Sequence, residues 1–298
     1  MSLAALYDVP APAKINWFLH IVGRRPDGYH LLQSVFVLID WADTLHFERR
    51  SDGQLSRHDL GATLPADDLA LKAARLLQAE SGCRLGADIS IDKRVPWAAG
   101  LGGGSSDAAS TLLALNRLWG LHWPREPLLR LAQQLGADVP FFVGGRNAFV
   151  EGIGERLTPI DVPQQWLAVL KPAAGLATAD VFTHPALVRN TPSAILAGFL
   201  AEAMQPGFWQ KSWGRNDLQP PAEDRCPEVA QAAEWLQSKF GNSRMSGSGS
   251  AVFARNGLIE GMNDQPLVTW LQEESILAGW VGRMCRSLAQ HPLAEWAG

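Results

Sequence analysis

Gly100-Leu101-Gly102-Gly103-Gly104-Ser105-Ser106-Asp107 is the segment whose composition points most directly to chemistry. Glycines without a Cβ let backbone N–H groups converge on a ligand, and the helix formers that follow, Ala108-Ala109-Ser110-Thr111-Leu112-Leu113, predict a helix opening near Ser105. The unsatisfied N–H groups and positive dipole end of such a helix favour an anion, above all a phosphate, and Ser105 and Ser106 add hydroxyl donors. Two familiar phosphate loops are excluded. No Gly-x-x-x-x-Gly-Lys-[Ser/Thr] occurs, and Ser105 stands where a dinucleotide fingerprint needs its last glycine. The motif set of the protein kinases is absent as well.

A cradle alone binds; phosphoryl transfer also needs a carboxylate to take the proton of the attacking hydroxyl and a fixed cation beside it. Asp138 and Lys14 are the candidates. Asp138 lies between Gly136 and Pro140 in an apolar stretch that continues through Phe141-Phe142-Val143, where an unpaired carboxylate is costly. The residues alone read equally well as a helix cap. Ala13-Lys14-Ile15-Asn16-Trp17-Phe18-Leu19 reads as a strand with Lys14 and Asn16 on one face and Ile15, Trp17 and Leu19 on the other. A lone strand lysine reads equally as a solvated surface residue. A second glycine loop, Ser246-Gly247-Ser248-Gly249-Ser250, precedes the strand-like Ala251-Val252-Phe253-Ala254; it contains no nucleophile elbow, which argues against a serine hydrolase.

The elements that must position these groups are legible in outline. Arg24-Arg25-Pro26-Asp27-Gly28 is turn chemistry and leads to a buried strand at Val35-Phe36-Val37-Leu38-Ile39. Asp67 or Asp68 can cap a helix with Leu69, Ala73, Leu76 and Leu77 in one stripe, and a strand over residues 89–95 stops at Pro96. Pro127 suits the first turn of a helix carrying Leu128, Leu131 and Leu135 and stopped by Gly136. Pro227-Glu228 opens another, with Val229, Ala233, Leu236 and Phe240 on one side and Gly241 as its stop. Residues 264–290 alternate helical and short apolar segments. At 298 residues the chain is long enough for two domains, with a change of register around the apolar strand Trp166-Leu167-Ala168-Val169-Leu170; the boundary is placed between residues 163 and 164.

Composition narrows the function classes. With 47% hydrophobic and 19% charged residues the chain reads as globular. A net charge of -4 without a basic block argues against nucleic acid as a partner. Three cysteines, Cys83, Cys226 and Cys285, have no close spacing, so no disulfide framework or zinc motif can be drawn and a cytoplasmic location is expected. No charged leader and no apolar stretch of the ~20 residues that a membrane span requires is found, so neither secretion nor a membrane partner is expected.

Pro12-Ala13-Lys14-Ile15-Asn16, Gly23 with Arg24-Arg25-Pro26-Asp27-Gly28-Tyr29-His30, the glycine loop, Gly136-Ala137-Asp138-Val139-Pro140 and Met245-Ser246-Gly247-Ser248-Gly249-Ser250 together resemble, in that order, the motif set of the GHMP kinase superfamily. The Asp-Gly-Tyr-His and Gly-Ala-Asp-Val-Pro segments resemble more narrowly those members that phosphorylate the tertiary 2-hydroxyl of a cytidine-diphosphate-linked methylerythritol in non-mevalonate isoprenoid synthesis. Alternatives are another GHMP small-molecule kinase, or a nucleotide-binding protein that has lost transfer.

The resemblance implies a two-domain α/β (α+β) fold, with an N-terminal ribosomal-protein-like domain, a C-terminal ferredoxin-like domain and the active site between them. It also implies roles. Asp138 would be the base, with Lys14 beside it, for transfer from ATP with Mg2+, whose ligands are not assigned. Lys93, Pro96, Trp97, Ala98, Ala99, Gly100, Leu101, Gly102, Gly103, Gly104, Ser105 and Ser106 would surround the ATP. Asn16, Tyr29, His30 and Phe182 would bind the substrate, the aromatics by stacking on the base, and Gly247, Ser248 and Gly249 would support the phosphate site. Two features depart from the family pattern: Trp97-Ala98-Ala99 replaces a run of small glycines, and Asp107 stands where asparagine is common, placing negative charge near a triphosphate unless it faces the helix N-terminus or a metal.

Overall fold

The computed structural model describes residues 3–61, 63–66, 68–205, 208, 213–258 and 279–297. Strands β1 (Ala5–Arg24) and β2 (His30–Arg50) form a long antiparallel hairpin. Its turn closes through Arg25 N donating to Tyr29 O (2.8 Å), with Gly28 at φ 93°, a conformation that a Cβ would strain. Then come β3 (Leu55–Asp59), α1 (Leu69–Ser81), β4 (Gly86–Asp92), α2 (Gly103–Leu118), α3 (Arg125–Leu135), α4 (Val139–Gly144), β5 (Ala148–Glu151) and β6 (Arg156–Pro159). The strands make a six-stranded sheet ordered β3-β4-β2-β5-β6, with β1 also paired to β2.

The second half holds β7 (Gln165–Lys171), α5 (Thr178–Phe182), α6 (Leu196–Ala203), α7 (Gln219–Arg225), α8 (Pro227–Phe240), β8 (Arg244–Met245), β9 (Val252–Leu258) and β10 (Val281–Arg286). Its four-stranded sheet is ordered β10-β7-β9-β8.

Period-two patterning explains the layers. Along β2, Phe36 and Leu38 join the core beneath α1 to α4, with Leu77, Leu112 and Phe142, while Val35, Val37 and Ile39 turn to the opposite face. There they meet Leu167 and Val169 of β7 and Phe253 of β9, whereas Ala168 and Leu170 face the other way, onto Val229 and Leu236 of α8. The two sheets therefore pack on each other, and helices cover the outer face of each. Asp68 caps α1, accepting from Ala70 N (2.7 Å) and Leu71 N (3.0 Å), and Gly82 ends it at φ 62°.

Three local expectations are corrected. A bulge in β1 between Asn16 and Leu19 puts Trp17 and Phe18 in the same core and sends Leu19 to the opposite one, so Leu19 does not share a face with Ile15 and Trp17. β4 ends at Asp92 rather than near Pro96, because the N–H groups of Arg94 (2.6 Å) and Val95 (2.7 Å) are taken by the Asp43 carboxylate instead of a neighbouring strand. α2 starts at Gly103, two residues before Ser105. The helix and strand alternation expected at 264–278, and Asp67, lie outside the described residues.

Phe149, fully buried between Phe18 (ring centroids 6.2 Å) and Phe199 (5.3 Å), ties the hairpin sheet to the inter-sheet core. Phe149→Ala is expected to lose about 3–5 kcal/mol of stability, the usual loss for a large buried aromatic, measured as a lowered urea midpoint by circular dichroism.

Candidate active site

The glycine loop bounds a cavity of about 400 Å³ lined by Lys93, residues 96–105 and Asp107, with Leu64, Pro65 and Asp68 also on its wall. Gly100 and Gly102 both sit at φ 73°. Gly102 is the N-cap of α2 and offers no side-chain cap, so the first N–H groups of the helix, which have no intrahelical partner, are left uncapped where Gly103, Gly104 and Ser105 line the cavity. A Cβ on Gly104 would meet nothing within 4 Å, which leaves room for a ligand to approach this backbone closely. Trp97 is 45% exposed at the rim. Ser106 departs from its expected role: it is fully buried, and its hydroxyl donates to Pro12 O (2.7 Å), fastening α2 to β1.

The second glycine loop lies against the first, backbone to backbone. Ser250 N donates to Ala98 O (3.2 Å), Ala251 N to Ala99 O (3.0 Å) and the Ser246 hydroxyl to Gly100 O (3.0 Å). A Cβ on Gly100 would stand 2.1 Å from Ser246 O, so only glycine fits that crossing. Asn216 holds the second loop in turn, its Nδ2 donating to Met245 O and Gly247 O, both at 2.8 Å.

On the other side of the crossing lies a cavity of about 300 Å³, lined by Lys14, Asn16, Asp138, Phe182, Gly247, Ser248 and Gly249 among others. It shares Ala98, Gly100 and Gly102 with the first cavity, so one loop forms a wall of both. Lys14 is only 3% exposed, which removes the solvated-surface reading. Its Nζ donates to Asn16 Oδ1 (2.6 Å), lies 3.5 Å from Asp138 Oδ2 and stands 4.5 Å from the centroid of the Phe36 ring. Lys14 N donates to Leu101 O (2.9 Å), so the strand that carries the ammonium also holds the glycine loop. Asp138 occupies the N-cap position of α4 yet makes no side-chain cap bond; its carboxylate faces Lys14 and the cavity instead. A half-open carboxylate beside a buried ammonium can accept a proton from a hydroxyl while the cation offsets developing negative charge.

Asn16 is largely committed to the protein: Oδ1 accepts from Lys14, Nδ2 donates to Ser34 Oγ (2.9 Å), and its backbone N–H donates to Ser246 Oγ (3.1 Å). His30 and Phe182 come together across the fold, with ring centroids 5.2 Å apart at 38°. Phe182 lines the smaller cavity, whereas neither His30 nor Tyr29 is among its lining residues; Tyr29 is 62% exposed beyond the hairpin turn.

Lys93 lines the first cavity, but its ammonium is bound by Asp43 and by Asp107 (2.7 Å). The charge of Asp107 is thereby answered by a lysine. Burial pushes the Asp107 carboxyl up to about 7, against the pull of Lys93 and with the charge of Asp43 adding to the rise. Asp43 and Asn216 are positioning residues that the sequence does not single out, whereas Ser246 belongs to the second glycine loop expected to support the phosphate site. For Asp43 the available signal is an aspartate within the mostly apolar run Trp41-Ala42-Asp43-Thr44-Leu45, which strand periodicity alone would turn toward solvent.

Two glycine substitutions separate the roles of the loop. Gly100→Ala should lower the melting temperature, because the added methyl meets backbone rather than a movable side chain. Gly104→Ala should leave the melting temperature unchanged or raised while weakening nucleotide binding, read by calorimetric titration; equal behaviour of the two variants would contradict this division.

The sequence matches the GHMP kinases N terminal domain over residues 68–146 and GHMP kinases C terminal over residues 200–255. It is 66% identical over 298 residues, the full length of both chains, to a 4-diphosphocytidyl-2-C-methyl-D-erythritol kinase of Methylibium petroleiphilum. It is 54% identical over 301 residues, 99% of this chain and 97% of the other, to the protein of that name from Polaromonas naphthalenivorans. A crystal structure of a 4-(cytidine 5'-diphospho)-2C-methyl-D-erythritol kinase superposes with a TM-score of 0.71 at 34% identity, covering 93% of this chain and 98% of that one. A homoserine kinase from Cytophaga hutchinsonii, at 16% identity and TM-score 0.70, shares the fold. The chain belongs to the 4-diphosphocytidyl-2-C-methyl-D-erythritol kinase family of the GHMP kinases.

Proposed function

We propose that this kinase transfers the γ-phosphoryl group of ATP to the 2-hydroxyl of 4-diphosphocytidyl-2-C-methyl-D-erythritol, a step of non-mevalonate isoprenoid synthesis, with Asp138 as base and Lys14 as its fixed cation. One observation carries the reading: the Lys14–Asp138 pair sits in one of two cavities that share the glycine loop as a common wall. ATP in the larger cavity would place its phosphates against the N-terminus of α2, and the acceptor in the smaller one would bring its hydroxyl to Asp138. Asp138 takes the hydroxyl proton as that oxygen bonds to the γ-phosphorus. The bond from the γ-phosphorus to the β,γ-bridging oxygen breaks and ADP leaves, while the Lys14 ammonium offsets charge on the transferring group.

When bound, Mg2+ would neutralise the β- and γ-phosphates. Among the described residues no group of three His, Cys, Asp or Glu side chains is placed to hold a metal. Lys93, paired with Asp43 and Asp107, would order the approach to the loop rather than contact the phosphates.

Phe182 and His30 would hold the cytidine, with Asn16 near the polyol. The division of the chain at residues 163/164 is supported by the step from β6, ending at Pro159 in the first sheet, to β7, starting at Gln165 in the second. Cys83, Cys226 and Cys285 are all free thiols, and no helix among the described residues is long and apolar enough to cross a membrane; both fit a cytoplasmic enzyme acting on a small molecule.

ADP release should be seen with the cytidyl substrate and not with galactose, homoserine or mevalonate; turnover on one of those instead would reassign the acceptor. Asp138→Asn is expected to lower kcat by about 10²–10⁴-fold with little change in either KM, as for loss of a general base. Phe182→Ala should raise the KM of the cytidyl substrate by about tenfold, in keeping with the ~1–3 kcal/mol of base stacking, while the KM of ATP stays put; an equal rise in both would remove the stacking role.

A further inference from the structure

We infer that Arg189 is a positioning residue for acceptor recognition: it locks the His30 ring in the tautomer whose proton is on Nδ1 and fixes that ring against Phe182. This rests on the reading above that His30 and Phe182 hold the base of the substrate.

The geometry is direct. Arg189 Nε donates to His30 Nε2 at 3.1 Å. A guanidinium has no acceptor, so the imidazole nitrogen facing it must offer a lone pair, and the proton of the neutral ring is then on Nδ1. The rest of the guanidinium is held by backbone carbonyls: one terminal nitrogen donates to Leu187 O (2.9 Å), the other to Phe182 O (3.2 Å) and His184 O (3.0 Å). Four of its five N–H groups are thereby engaged, and the fork cannot swing away without releasing the segment that follows α5. One side chain thus sets both the His30 tautomer and the position of the Phe182 backbone.

The charges around His30 act in the same direction. Burial first, then Arg189 from the segment after α5 and Arg24 from β1, hold the imidazole below its ordinary pKa, so it stays neutral at pH 7 and its Nε2 lone pair remains available to Arg189. Nδ1–H has no hydrogen-bond partner among the described residues. A fixed, unpartnered N–H donor next to a stacking ring favours a base edge that presents an acceptor. A 4-aminopyrimidine such as cytosine offers a ring-nitrogen acceptor at N3, whereas a 4-oxopyrimidine such as uracil carries a proton there and would set donor against donor. Leaving such a pair unmatched is more costly than the matched bond is favourable, which makes Arg189 a determinant of discrimination as well as of affinity.

The test begins with the unmodified chain, selectively labelled with 15N-histidine. The His30 signals, assigned by their loss in His30→Gln, should show a pyridine-type Nε2 and a pyrrole-type Nδ1 at neutral pH; the reverse pattern overturns the inference without any substrate being added. In Arg189→Met, with folding checked by circular dichroism, the tautomer preference should relax. The KM of the cytidyl substrate should then rise about tenfold, the scale of one lost hydrogen bond, while kcat and the KM of ATP stay within about twofold. The preference for the cytidyl substrate over its uridyl analogue should shrink in parallel. An unchanged tautomer, or a variant in which both KM values rise together, would overturn the role of Arg189. Absence of turnover by the unmodified chain on the cytidyl substrate would instead bring down the proposed function, and the tautomer would still be decided by the spectrum.

Discussion

Two glycine loops that touch backbone to backbone are the constraint on which the remainder of the site depends. Residues 98–100 accept hydrogen bonds from Ser246, Ser250 and Ala251, and the approach at Gly100 is too close for any side chain. The first loop belongs to the hairpin-sheet half of the chain and the second leads into β9, so this contact is also where the two sheets are keyed together. A conformation needing φ near +73° at Gly100 and Gly102 persists because both loops, the α2 N-terminus and β1 hold it at once.

Charge is distributed around that crossing in two different ways. Lys93 is answered twice, by Asp43 and Asp107, and its work is internal: with Asp43 also capping the N–H groups of Arg94 and Val95, it fixes the path of the chain into the loop. Lys14 is answered by Asn16 and, at the longer distance of 3.5 Å, by an Asp138 that keeps part of its surface open. A buried ion cluster resists change, whereas a half-open pair retains capacity to meet a proton and a charged group arriving from outside.

Much of this was legible in the residues. The glycine run, the Lys14 and Asn16 alternation, the apolar runs of β2 and β7 and the stops at Gly136 and Gly241 follow from local rules, and the structure places these elements as those rules require. The misreadings share a physical origin in partners distant in sequence. Leu19 changes face because β1 bulges where it meets the second half of the chain at Arg215 and Asn216. The hydroxyl of Ser106 is spent on Pro12, 94 positions away. The roles of Asp43, Arg189 and Asn216 depend on what the fold brings opposite them, and no spacing rule could pair Arg189 with His30 across 159 positions. Tyr29 and His30 are adjacent in sequence, yet only His30 stacks on Phe182, because alternate residues leaving a turn face opposite ways.

The sharing of one loop by two cavities has a bearing on how this architecture can diversify. The wall of the larger cavity is written mostly in one contiguous run, residues 93–107, while that of the smaller one is gathered from β1, β2, the Asp138 turn, residues 176–182 and the second loop. With ATP assigned to the larger cavity and the acceptor to the smaller, as proposed, a change in the contiguous run is felt on both sides of the crossing and so by both reactants. Changes near Phe182 are felt on one side only. Acceptor preference can therefore drift among descendants through scattered replacements that leave the donor machinery intact, and inheritance of the nucleotide half becomes far stricter than inheritance of the half that chooses what is phosphorylated.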